Sequence, residues 1–401
     1  MAVPEAVLAA KTMGNLPDCA VDVVCAEASR KWHGHDQSLN AYVSQRFYSV
    51  NRIRQSWCAR WLRVPRFLLA SQLPDMFVYS NRRLVRQAIS LDPTKYRAMV
   101  SWSQWHSVHL AALRVKHLYP KLQWMAHFSD PWVDNPYAAY GLVSRWLNAR
   151  MEAYVIRAAD SVSFTTECMT DLVMRKYPCS WRARTSVHPH PFDPALYCTT
   201  GTQPGRKDIV LRYVGAFYGK RTPEPLFVAL AQVLQDQPRE LADVTVELVG
   251  PVPPGFLRTD ASRRLPDELI RVVGCVDYFT SLTLMVEASA LLLIDAPARY
   301  SVFLPSKLVD YIGAGRPIVG ITPPGASADL ITQMGGLVAD PADIPRVVQV
   351  LLQMLRYLRA HRPCGSWGDE STRRRFTVKT VSGAFLNAIL GSHSHPLCGW
   401  L

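Results

Sequence analysis

The sequence lacks the features that mark secreted, zinc-binding and membrane-spanning proteins. Its nine cysteines include no Cys-x-x-Cys pair and no regular spacing, which argues against a disulfide framework and against a zinc site. No signal-like segment stands at the N-terminus. No run approaches the roughly 18 apolar residues of a membrane span, because Asp295 and Pro297 interrupt the most apolar stretch, residues 288–298. These absences predict a cytoplasmic protein with reduced thiols that does not cross a membrane.

Carboxylates are scarce in the N-terminal half. Residues 1–200 hold 24 Lys and Arg against 14 Asp and Glu, and no acidic residue lies between Asp36 and Asp75. This acid-free segment interleaves arginines with aromatic residues: Arg46, Phe47, Arg52, Arg54, Trp57, Arg60, Trp61, Arg63, Arg66 and Phe67. Such a composition fits peripheral contact with an anionic membrane at its inner face, or a solvated arginine-rich helix with its aromatics in the core. Nucleic-acid binding is the weakest interpretation, because no recognition motif accompanies the charge.

The length and the pattern of the chain predict two α/β domains. At 401 residues the chain exceeds what one hydrophobic core usually supports. Short apolar strands alternate with helical segments, which predicts parallel sheets; in the second half these strands are residues 209–214, 244–249, 270–274, 290–294 and 318–321. The clearest linker by composition is residues 199–207. We therefore expect domains over residues 1–200 and 201–370 and a terminal helix within residues 371–401.

The segment of residues 299–330 has the strongest functional pattern. Pro305 and Ser306 predict the start of a short helix, with Ser306 as its N-cap. Lys307 in the first turn opposes the helix dipole, and an anionic ligand at the helix N-terminus would offset both charges. Asp310 lies one turn later on the same face, where its carboxylate could accept hydrogen bonds from sugar hydroxyls. An ordinary surface Lys–Asp pair fits the same spacing equally well.

A second turn with glycine and two cations precedes another predicted helix. Gly215 follows an apolar strand, and Lys220 and Arg221 come shortly after it. Glycine lets the backbone approach a ligand closely, and cations beside a helix N-terminus favour a phosphate. This motif alone is weak. Together with Ser306 and Lys307 it gives the second domain two anion-binding turns, which is what a diphosphate requires.

Polar residues also follow two predicted strands in the N-terminal half. The strand at residues 96–103 leads into His106 and His109, and the strand at residues 122–128 leads into Asp130. Residues at the carboxyl ends of parallel strands often contact ligands. A lone histidine is as often structural, however, and Asp before Pro commonly forms a turn. We take His106, His109 and Asp130 as candidate site residues.

Residues 305–319, PSKLVDYIGAGRPIV, resemble the donor-site segment of GT-B glycosyltransferases, especially bacterial family-4-like enzymes. That family has an acidic residue at the position of Asp310. Many members have a glutamate eight residues earlier, where this chain has Val302. The resemblance extends to the basic residue of the Gly215–Arg221 loop and to Asp-Pro-Trp at residues 130–132. It implies two Rossmann-like domains, a donor sugar contacted near His109, and a last helix that returns towards the N-terminal domain.

The resemblance also implies a strand and a Gly-rich loop ahead of the first helix, and Met1 already lies within that helix. Either the true start lies upstream of Met1, or the N-terminal domain lacks its first strand. In both cases the acceptor-side residues expected from that loop are missing from this sequence.

The expected function is transfer of a sugar from a nucleoside-diphosphate sugar to a glycan or lipid-linked acceptor, with retention of configuration implied by the resemblance. The donor would be bound by Gly215, Lys220, Arg221, Ser306 and Lys307, and the catalytic candidates are His109, Asp130 and Asp310. Cationic side chains can stabilise the leaving diphosphate, so we expect no cofactor and no metal. The histidines at positions 188 and 190 alternate with prolines and favour a rigid loop over a metal site.

Two other functions remain open. A non-catalytic sugar-nucleotide-binding or scaffold protein is favoured by Val302 and by the missing loop. A nucleotide-sugar epimerase would share the fold and the diphosphate chemistry, but the sequence shows no acid and base carboxylates for it.

Overall fold

The computed structural model describes residues 4–27, 36–54, 73–75, 77–138, 140–197, 208–361 and 366–391. The chain divides into two compact units, which we call the first unit (Met1–His190 with Lys379–Leu401) and the second unit (Pro191–Val378). The predicted linker, residues 199–207, lies outside the described residues, as does most of the acid-free segment. None of the helices in the described ranges is both long and apolar enough to cross a membrane.

The first unit is built from parallel strands separated by helices. Its strands are β1 (Asp22–Ala26), β2 (Ser49–Ile53), β3 (Ala98–Ser103), β4 (Gln123–Phe128), β5 (Ser161–Phe164) and β6 (Thr185–Val187). Its helices include α1 (Pro4–Met13), α2 (Gln37–Ser44), α3 (Asn81–Ser90), α4 (Ser107–Leu118), α5 (Leu142–Ala158), α6 (Glu167–Met174) and α7 (Cys179–Arg182), with short 3-10 turns at Val78–Ser80 and Pro93–Lys95. Strands β1 and β2 pair with each other, and a four-stranded sheet has the order β3-β4-β5-β6.

Burial explains why β4 lies inside the four-stranded sheet. Its residues from Trp124 to Phe128 are all buried, as expected for a strand covered by helices on both faces. On one side of β4, the ring of Trp124 donates a hydrogen bond of 2.9 Å from Nε1 to Oγ of Ser101 in β3. The carboxyl ends of β3 and β4 therefore deliver residues 104–109 and 129–133 to the same edge of the sheet.

The second unit contains one continuous six-stranded sheet. Its strands are β7 (Ile209–Val214), β8 (Val244–Val249), β9 (Ile270–Gly274), β10 (Ala290–Ile294), β11 (Ile318–Ile321) and β12 (Leu337–Ala339). Its helices are α8 (Glu224–Asp236), α9 (Asp260–Arg263), α10 (Tyr278–Glu287), α11 (Ser306–Ala314), α12 (Ala326–Gln333) and α13 (Ile344–Ala360), with 3-10 turns at Pro194–Leu196, Pro238–Leu241 and Pro254–Leu257. Five of the strands occupy the residues predicted for them.

The strand order of this sheet is β12-β11-β10-β7-β8-β9, and every pair is parallel. The chain moves outwards from β7 through β8 to β9, and then returns to place β10 on the other side of β7. In open α/β sheets, ligands bind outside the carboxyl ends of the strands at such a reversal of strand order. The residues that follow β7 and β10 are therefore the first place to look for a site.

The core of the second unit lies on both faces of this sheet. Apolar residues of α8 and α13 cover one face, including Leu226, Leu230, Val347 and Leu351. Residues of α10 and α11 cover the other face, including Met285, Leu308 and Ile312. Two of the charged residues within the sheet pair with each other: Nε of Arg212 in β7 donates a hydrogen bond of 2.7 Å to Glu247 opposite it in β8. Both side chains are buried.

The structure divides the predicted terminal helix into α14 (Glu370–Arg375) and α15 (Val378–Ile389). At the break the backbone pairs with Phe192: the amide of Phe192 donates to the carbonyl of Phe376 at 2.8 Å, and the carbonyl of Phe192 accepts from the amide of Val378 at 2.9 Å. From Lys379 onwards α15 belongs to the first unit. There Phe385 is buried against Met125 of β4, and the hydroxyl of Ser382 donates a 2.8 Å hydrogen bond to the carbonyl of Thr12 in α1.

Candidate functional site

Gly215, Arg221 and Lys307 meet at the carboxyl ends of β7 and β10. A Cβ atom added to Gly215 would lie 3.3 Å from Cδ and 3.5 Å from Nζ of Lys307. Gly215 has a φ of 146°, a backbone angle that residues other than glycine rarely adopt. The absence of a side chain here leaves room beside the Lys307 ammonium for a ligand that approaches the backbone.

Lys307 is held against Tyr213, the penultimate residue of β7. Its ammonium donates a hydrogen bond of 2.9 Å to the Tyr213 hydroxyl and lies 4.2 Å from the centre of the ring. Burial, and secondarily the positive charge of Arg221, lower the pKa of Lys307 well below its usual value. A bound anion would stabilise the charged form of Lys307 and so raise its pKa again, which means that the local electrostatics favour a negatively charged ligand.

Arg221 is anchored by Asp295, the residue directly after β10. The guanidinium NH2 lies 3.0 Å from Oδ1 of Asp295, and NH1 donates a 3.1 Å hydrogen bond to the Tyr218 hydroxyl. The Asp295 carboxylate also accepts a 3.0 Å hydrogen bond from the hydroxyl of Thr322, which follows β11. Arg221 is thereby fixed at the strand ends, with 15% of its side chain exposed. Sequence reasoning missed Asp295, although a carboxylate directly after a buried apolar strand was a visible signal.

Helix α11 is fixed over the reversal of strand order by Tyr311. The Tyr311 hydroxyl accepts a 2.9 Å hydrogen bond from the amide of Val214 in β7 and lies 3.1 Å from the carbonyl of Leu292 in β10. One side chain thus ties the helix to both central strands. The prediction that Ser306 is the N-cap was wrong: Pro305 occupies the cap, and Ser306 is the first residue of the helix. Ser306 and Lys307 nevertheless stand at the helix N-terminus, where unpaired amides attract anions.

The loops that follow β7 and β8 approach each other closely beside these cations. Gly250, after β8, has a φ of 124°, and a Cβ atom there would collide with the carbonyl oxygen of Gly215. The amide of Gly215 donates a 2.8 Å hydrogen bond to the carbonyl of Val249. The two glycines therefore let the loops after β7 and β8 lie in direct backbone contact.

Lys220, the remaining predicted donor-binding cation, lies apart from this group. It is exposed on a turn closed by backbone hydrogen bonds of 3.2 and 3.0 Å between Tyr218 and Arg221. The structure therefore brings Gly215, Arg221 and Lys307 together and leaves Lys220 at the rim.

Asp310 lies in α11 one turn beyond Lys307, but the two side chains do not form the surface pair that was the alternative interpretation. Asp310 is 7% exposed, and its Oδ1 accepts hydrogen bonds from the hydroxyls of Tyr197 at 2.9 Å and Tyr278 at 3.2 Å. Val302, at the position where the resembled family often has a glutamate, is also buried. The Asp310 carboxylate is thus buried beyond the first turn of α11 and hydrogen-bonded to two tyrosines.

In the first unit, His109 is fully buried in α4. Its Nδ1 shares a 2.8 Å hydrogen bond with Oγ of Ser101, and its ring centre lies 4.3 Å from that of Phe128. Burial lowers the pKa of His109 well below its usual value, so the ring is neutral. His106 stacks on Trp132 with ring centres 5.0 Å apart, and burial lowers its pKa to about 3.

Asp130 follows β4 in a loop that α5 supports. Its Oδ2 accepts a 2.9 Å hydrogen bond from Nε2 of Gln104, and burial raises its pKa to about 6. The loop is held by Asn148, which accepts a 2.8 Å hydrogen bond from Trp132. A carboxyl group with such a pKa exchanges its proton close to neutral pH, which is the property required of a general acid or base.

The N-terminus of α4 is already occupied by a carboxylate of the chain itself. Oδ2 of Asp75 accepts a 2.8 Å hydrogen bond from the amide of Ser107, and Oδ1 accepts a 2.9 Å hydrogen bond from the amide of Phe77. Burial raises the pKa of Asp75. This helix end therefore differs from that of α11, whose cap makes no side-chain hydrogen bond.

His188 and His190 are both buried, and Nε2 of His188 shares a 3.0 Å hydrogen bond with Oγ of Ser186. Among the residues that the structure describes, no three His, Cys, Asp or Glu side chains are grouped as a metal site would require.

No protein-family model and no curated protein matches this chain. Its structure is similar to that of HepE from Anabaena in complex with UDP and glucose, at 14% identity and a TM-score of 0.63, over 92% of this chain and 99% of that one. It is also similar to sucrose-phosphate synthase from Thermosynechococcus elongatus, at 18% identity and a TM-score of 0.61, over 97% and 89% of the two chains.

A third similar structure is the lipopolysaccharide outer core galactosyltransferase WaaB in its apo form, at 15% identity and a TM-score of 0.58, over 92% of this chain and 99% of that one. These likenesses concern the fold. The predicted fold class is confirmed: the chain has two Rossmann-like domains and the fold of GT-B glycosyltransferases.

Proposed function

We propose that the protein is a glycosyltransferase that takes a sugar from a nucleoside-diphosphate sugar. The proposal rests on the convergence of Gly215, Arg221 and Lys307 with the N-terminus of α11 at the reversal of strand order in the second unit. A diphosphate needs several cations and amides at one point, and these groups supply them. HepE, which has a similar fold, has been solved with UDP-glucose, and this supports a nucleotide sugar as the donor.

In this proposal the protein's own cations stabilise the charge that develops on the leaving diphosphate. Lys307 and Arg221 would contact the phosphate oxygens, Ser306 would offer its amide at the helix end, and Lys220 would contribute from the rim. Groups that are fixed before the reaction stabilise such charge more effectively than mobile ones, because they need not reorganise. We accordingly propose transfer without a metal ion. Retention of configuration is supported by the family resemblance alone.

The catalytic candidates remain proposals. Asp130 is the most suitable proton-exchanging group, because burial raises its pKa to about 6. Asp310 is proposed to interact with donor hydroxyls from its position after the first turn of α11. His109 is proposed to contribute through its neutral ring; its bond to Ser101 also suits a role in holding the turn before α4.

A glycan or lipid-linked acceptor is likewise a proposal, supported by the positive charge of the N-terminal half. Contact with an anionic membrane stays a prediction, since Arg60, Arg63 and Arg66 lie outside the described residues. In the described part of the acid-free segment, Arg52 and Arg54 are exposed and Arg46 packs over the ring of Tyr42 at 3.6 Å.

The test is to incubate the protein with a panel of nucleotide sugars, UDP-glucose first, and candidate glycan acceptors. Release of nucleoside diphosphate with formation of a glycosylated product supports the proposal. The release should disappear in Lys307→Ala and persist in Arg264→Ala, which removes an exposed cation of the same unit. An epimerised donor without release would indicate the nucleotide-sugar epimerase instead.

A non-catalytic sugar-nucleotide-binding protein is the second candidate. It is favoured by Val302, a buried apolar residue where the resembled family often has a glutamate. This candidate predicts binding of UDP-glucose that depends on Lys307, with no release of UDP for any acceptor tested.

A further inference from the structure

Two adjoining clefts lie on the surface of the first unit that α3 and α4 form. One, of about 290 Å³, lies between the two helices and is lined by Asn81, Arg82, Val85, Arg86, Leu110, Ala111 and Arg114. The other, of about 490 Å³, lies between α3 and the end of β2 and is lined by Ile53, Arg54, Arg83, Arg86, Gln87 and Ser90. Arg86 lines both, so the two clefts share a wall. We call them together the arginine clefts.

The arginine clefts carry positive charge with no carboxylate to neutralise it. Their lining residues include five arginines and no Asp or Glu. Within the described ranges, none of these arginines forms an ion pair, and one of them, Arg83, donates instead to the carbonyl of Arg54 at 2.9 Å. Along the sequence, no acidic residue lies between Asp75 and Asp92, the interval that contains α3. Like charges gathered in this way repel one another unless an anion binds between them.

The direction of α3 adds to this charge. Arg82 and Arg83 stand in its first turn, which contains no acidic residue. Cations at a helix N-terminus add to the positive end of the helix dipole and destabilise the helix. Asp36 caps α2 and Thr166 caps α6 in the same unit, and the cation-bearing start of α3 contrasts with those two helix starts.

We propose that the arginine clefts bind a ligand with two neighbouring phosphate groups, one phosphate in each cleft, with Arg86 between them. A guanidinium presents a planar fork of N–H donors that matches two phosphate oxygens, and arginine binds phosphate this way more specifically than a bare charge does. The apolar floor formed by Val85, Leu110 and Ala111 suits a ligand that carries a less polar part next to its phosphates. The diphosphate is either free in solution or borne on a lipid.

This site is separate from the proposed donor site. The arginine clefts belong to the first unit, whereas Arg221 and Lys307 belong to the second. The inference therefore does not rest on the proposed glycosyltransferase activity, and the two can fail independently.

The test is calorimetric titration of the full chain with inorganic pyrophosphate at low salt and without divalent metal. The background carries Arg221→Ala and Lys307→Ala, so that the donor site contributes nothing. In this background we expect one binding site, which weakens at least tenfold when Arg86→Gln and Arg114→Gln are added. The matched control adds Arg150→Gln and Arg157→Gln, which remove the same charge from exposed positions of α5. This control should change the affinity less than twofold.

Two further variants and one further probe sharpen the test. Arg86→Lys keeps the charge but loses the fork, and we expect it to weaken pyrophosphate binding several-fold. Co-sedimentation with phosphatidylcholine vesicles that contain phosphatidylinositol 4,5-bisphosphate, a lipid with two neighbouring phosphates, distinguishes the source. Vesicle binding that pyrophosphate displaces and Arg86→Gln removes indicates lipid-borne phosphates, and pyrophosphate binding without it indicates a soluble ligand. The proposal is overturned if the control pair weakens pyrophosphate binding as much as the cleft pair does, or if neither pair changes it.

Discussion

The two units handle positive charge in opposite ways. In the second unit, each cation is held by a protein group: Arg221 by Asp295 at 3.0 Å, and Lys307 by the Tyr213 hydroxyl at 2.9 Å. In the first unit, the five arginines of the arginine clefts are exposed and form no ion pair within the described residues. A held cation loses little freedom when it binds an anion, whereas an exposed arginine must be ordered by its ligand. The comparison therefore separates a preformed site from an adaptable, salt-sensitive one.

The units differ as sharply in their histidines. The first unit buries His109, His127, His188 and His190 and half-buries His106. The second unit has a single histidine, His361, and it is exposed. Because buried imidazoles must stay neutral, acid acts on the two units differently.

The largest expected effect is therefore a loss of stability of the first unit in mild acid. Burial lowers the pKa of His188 to about 4 and those of His106 and His190 to about 3, and it also lowers the pKa values of His109 and His127. Below the ordinary histidine pKa of 6.5, the unfolded chain binds protons that the folded unit cannot. Each histidine then costs up to about 1.4 kcal/mol per pH unit, and the loss continues down to the folded pKa values.

Urea denaturation at pH 7.5 and pH 5.5, followed by tryptophan fluorescence, measures this loss. Trp367 is the only tryptophan in the second unit, so the signal comes mainly from the first. Unchanged midpoints at the two pH values would show that these histidines are not buried in solution.

The next largest effect is expected for Asp295→Ala. The change leaves Arg221, which is only 15% exposed, and Lys307 beside each other without a carboxylate. Breaking a buried ion pair from one side costs about 3 kcal/mol of unfolding free energy. Glu370→Ala is the control, because it removes an exposed pair with Arg374 that contributes at most about 0.5 kcal/mol. Equal losses of unfolding free energy for the two variants would show that the buried pair of Arg221 and Asp295 contributes no more than an exposed pair.

Lys307→Ala and Arg221→Ala should each weaken UDP binding by about 1.5–3 kcal/mol, the value of a lost charge-assisted hydrogen bond. Calorimetry gives the affinity, and circular dichroism checks that the variants fold. Lys220→Ala should have a smaller effect, because Lys220 is exposed at the rim. If Lys220→Ala weakens UDP binding as much as Lys307→Ala does, the preformed arrangement is not what binds the diphosphate.

The smallest expected effect is that of a chelator. Since Lys307 and Arg221 are proposed to stabilise the leaving diphosphate, turnover should be unchanged in excess EDTA. Turnover that EDTA abolishes and magnesium or manganese restores would mean that the held cations are insufficient by themselves.

The sequence was most informative where buried parallel strands dominate. The strands at Ile209–Val214 and Ala290–Ile294 were predicted residue for residue, because a strand covered on both faces is an apolar run with sharp ends, interrupted here only by Arg212. Gly215 was predicted as a site residue because it directly follows such a strand, and Lys307 because a cation in the first turn of a predicted helix favours an anionic ligand. The structure brings these two together.

Other features depend on contacts between distant residues, and the sequence did not show them. The tyrosine hydroxyls on Asp310 come from positions 197 and 278, and Asp295 meets Arg221 only because β10 lies beside β7. The break before α15 depends likewise on backbone pairing with Phe192. Burial of His109 was equally hidden, because its neighbour Ser101 belongs to another element.

The buried pair of Arg212 and Glu247 has a consequence for how the second sheet chooses its alignment during folding. A slip of β7 against β8 by one residue would turn every apolar side chain of β7 to the opposite face, so the hydrophobic pattern excludes it. A slip by two residues keeps the faces but places Arg212 opposite Thr245 or Val249, which leaves the buried Arg212 without its carboxylate at a cost of about 3–5 kcal/mol. The ion pair thus rejects the errors that hydrophobicity tolerates. Since Gly215 directly follows β7, this selection also sets the position, relative to α11, of the loop that we propose to face the donor phosphates.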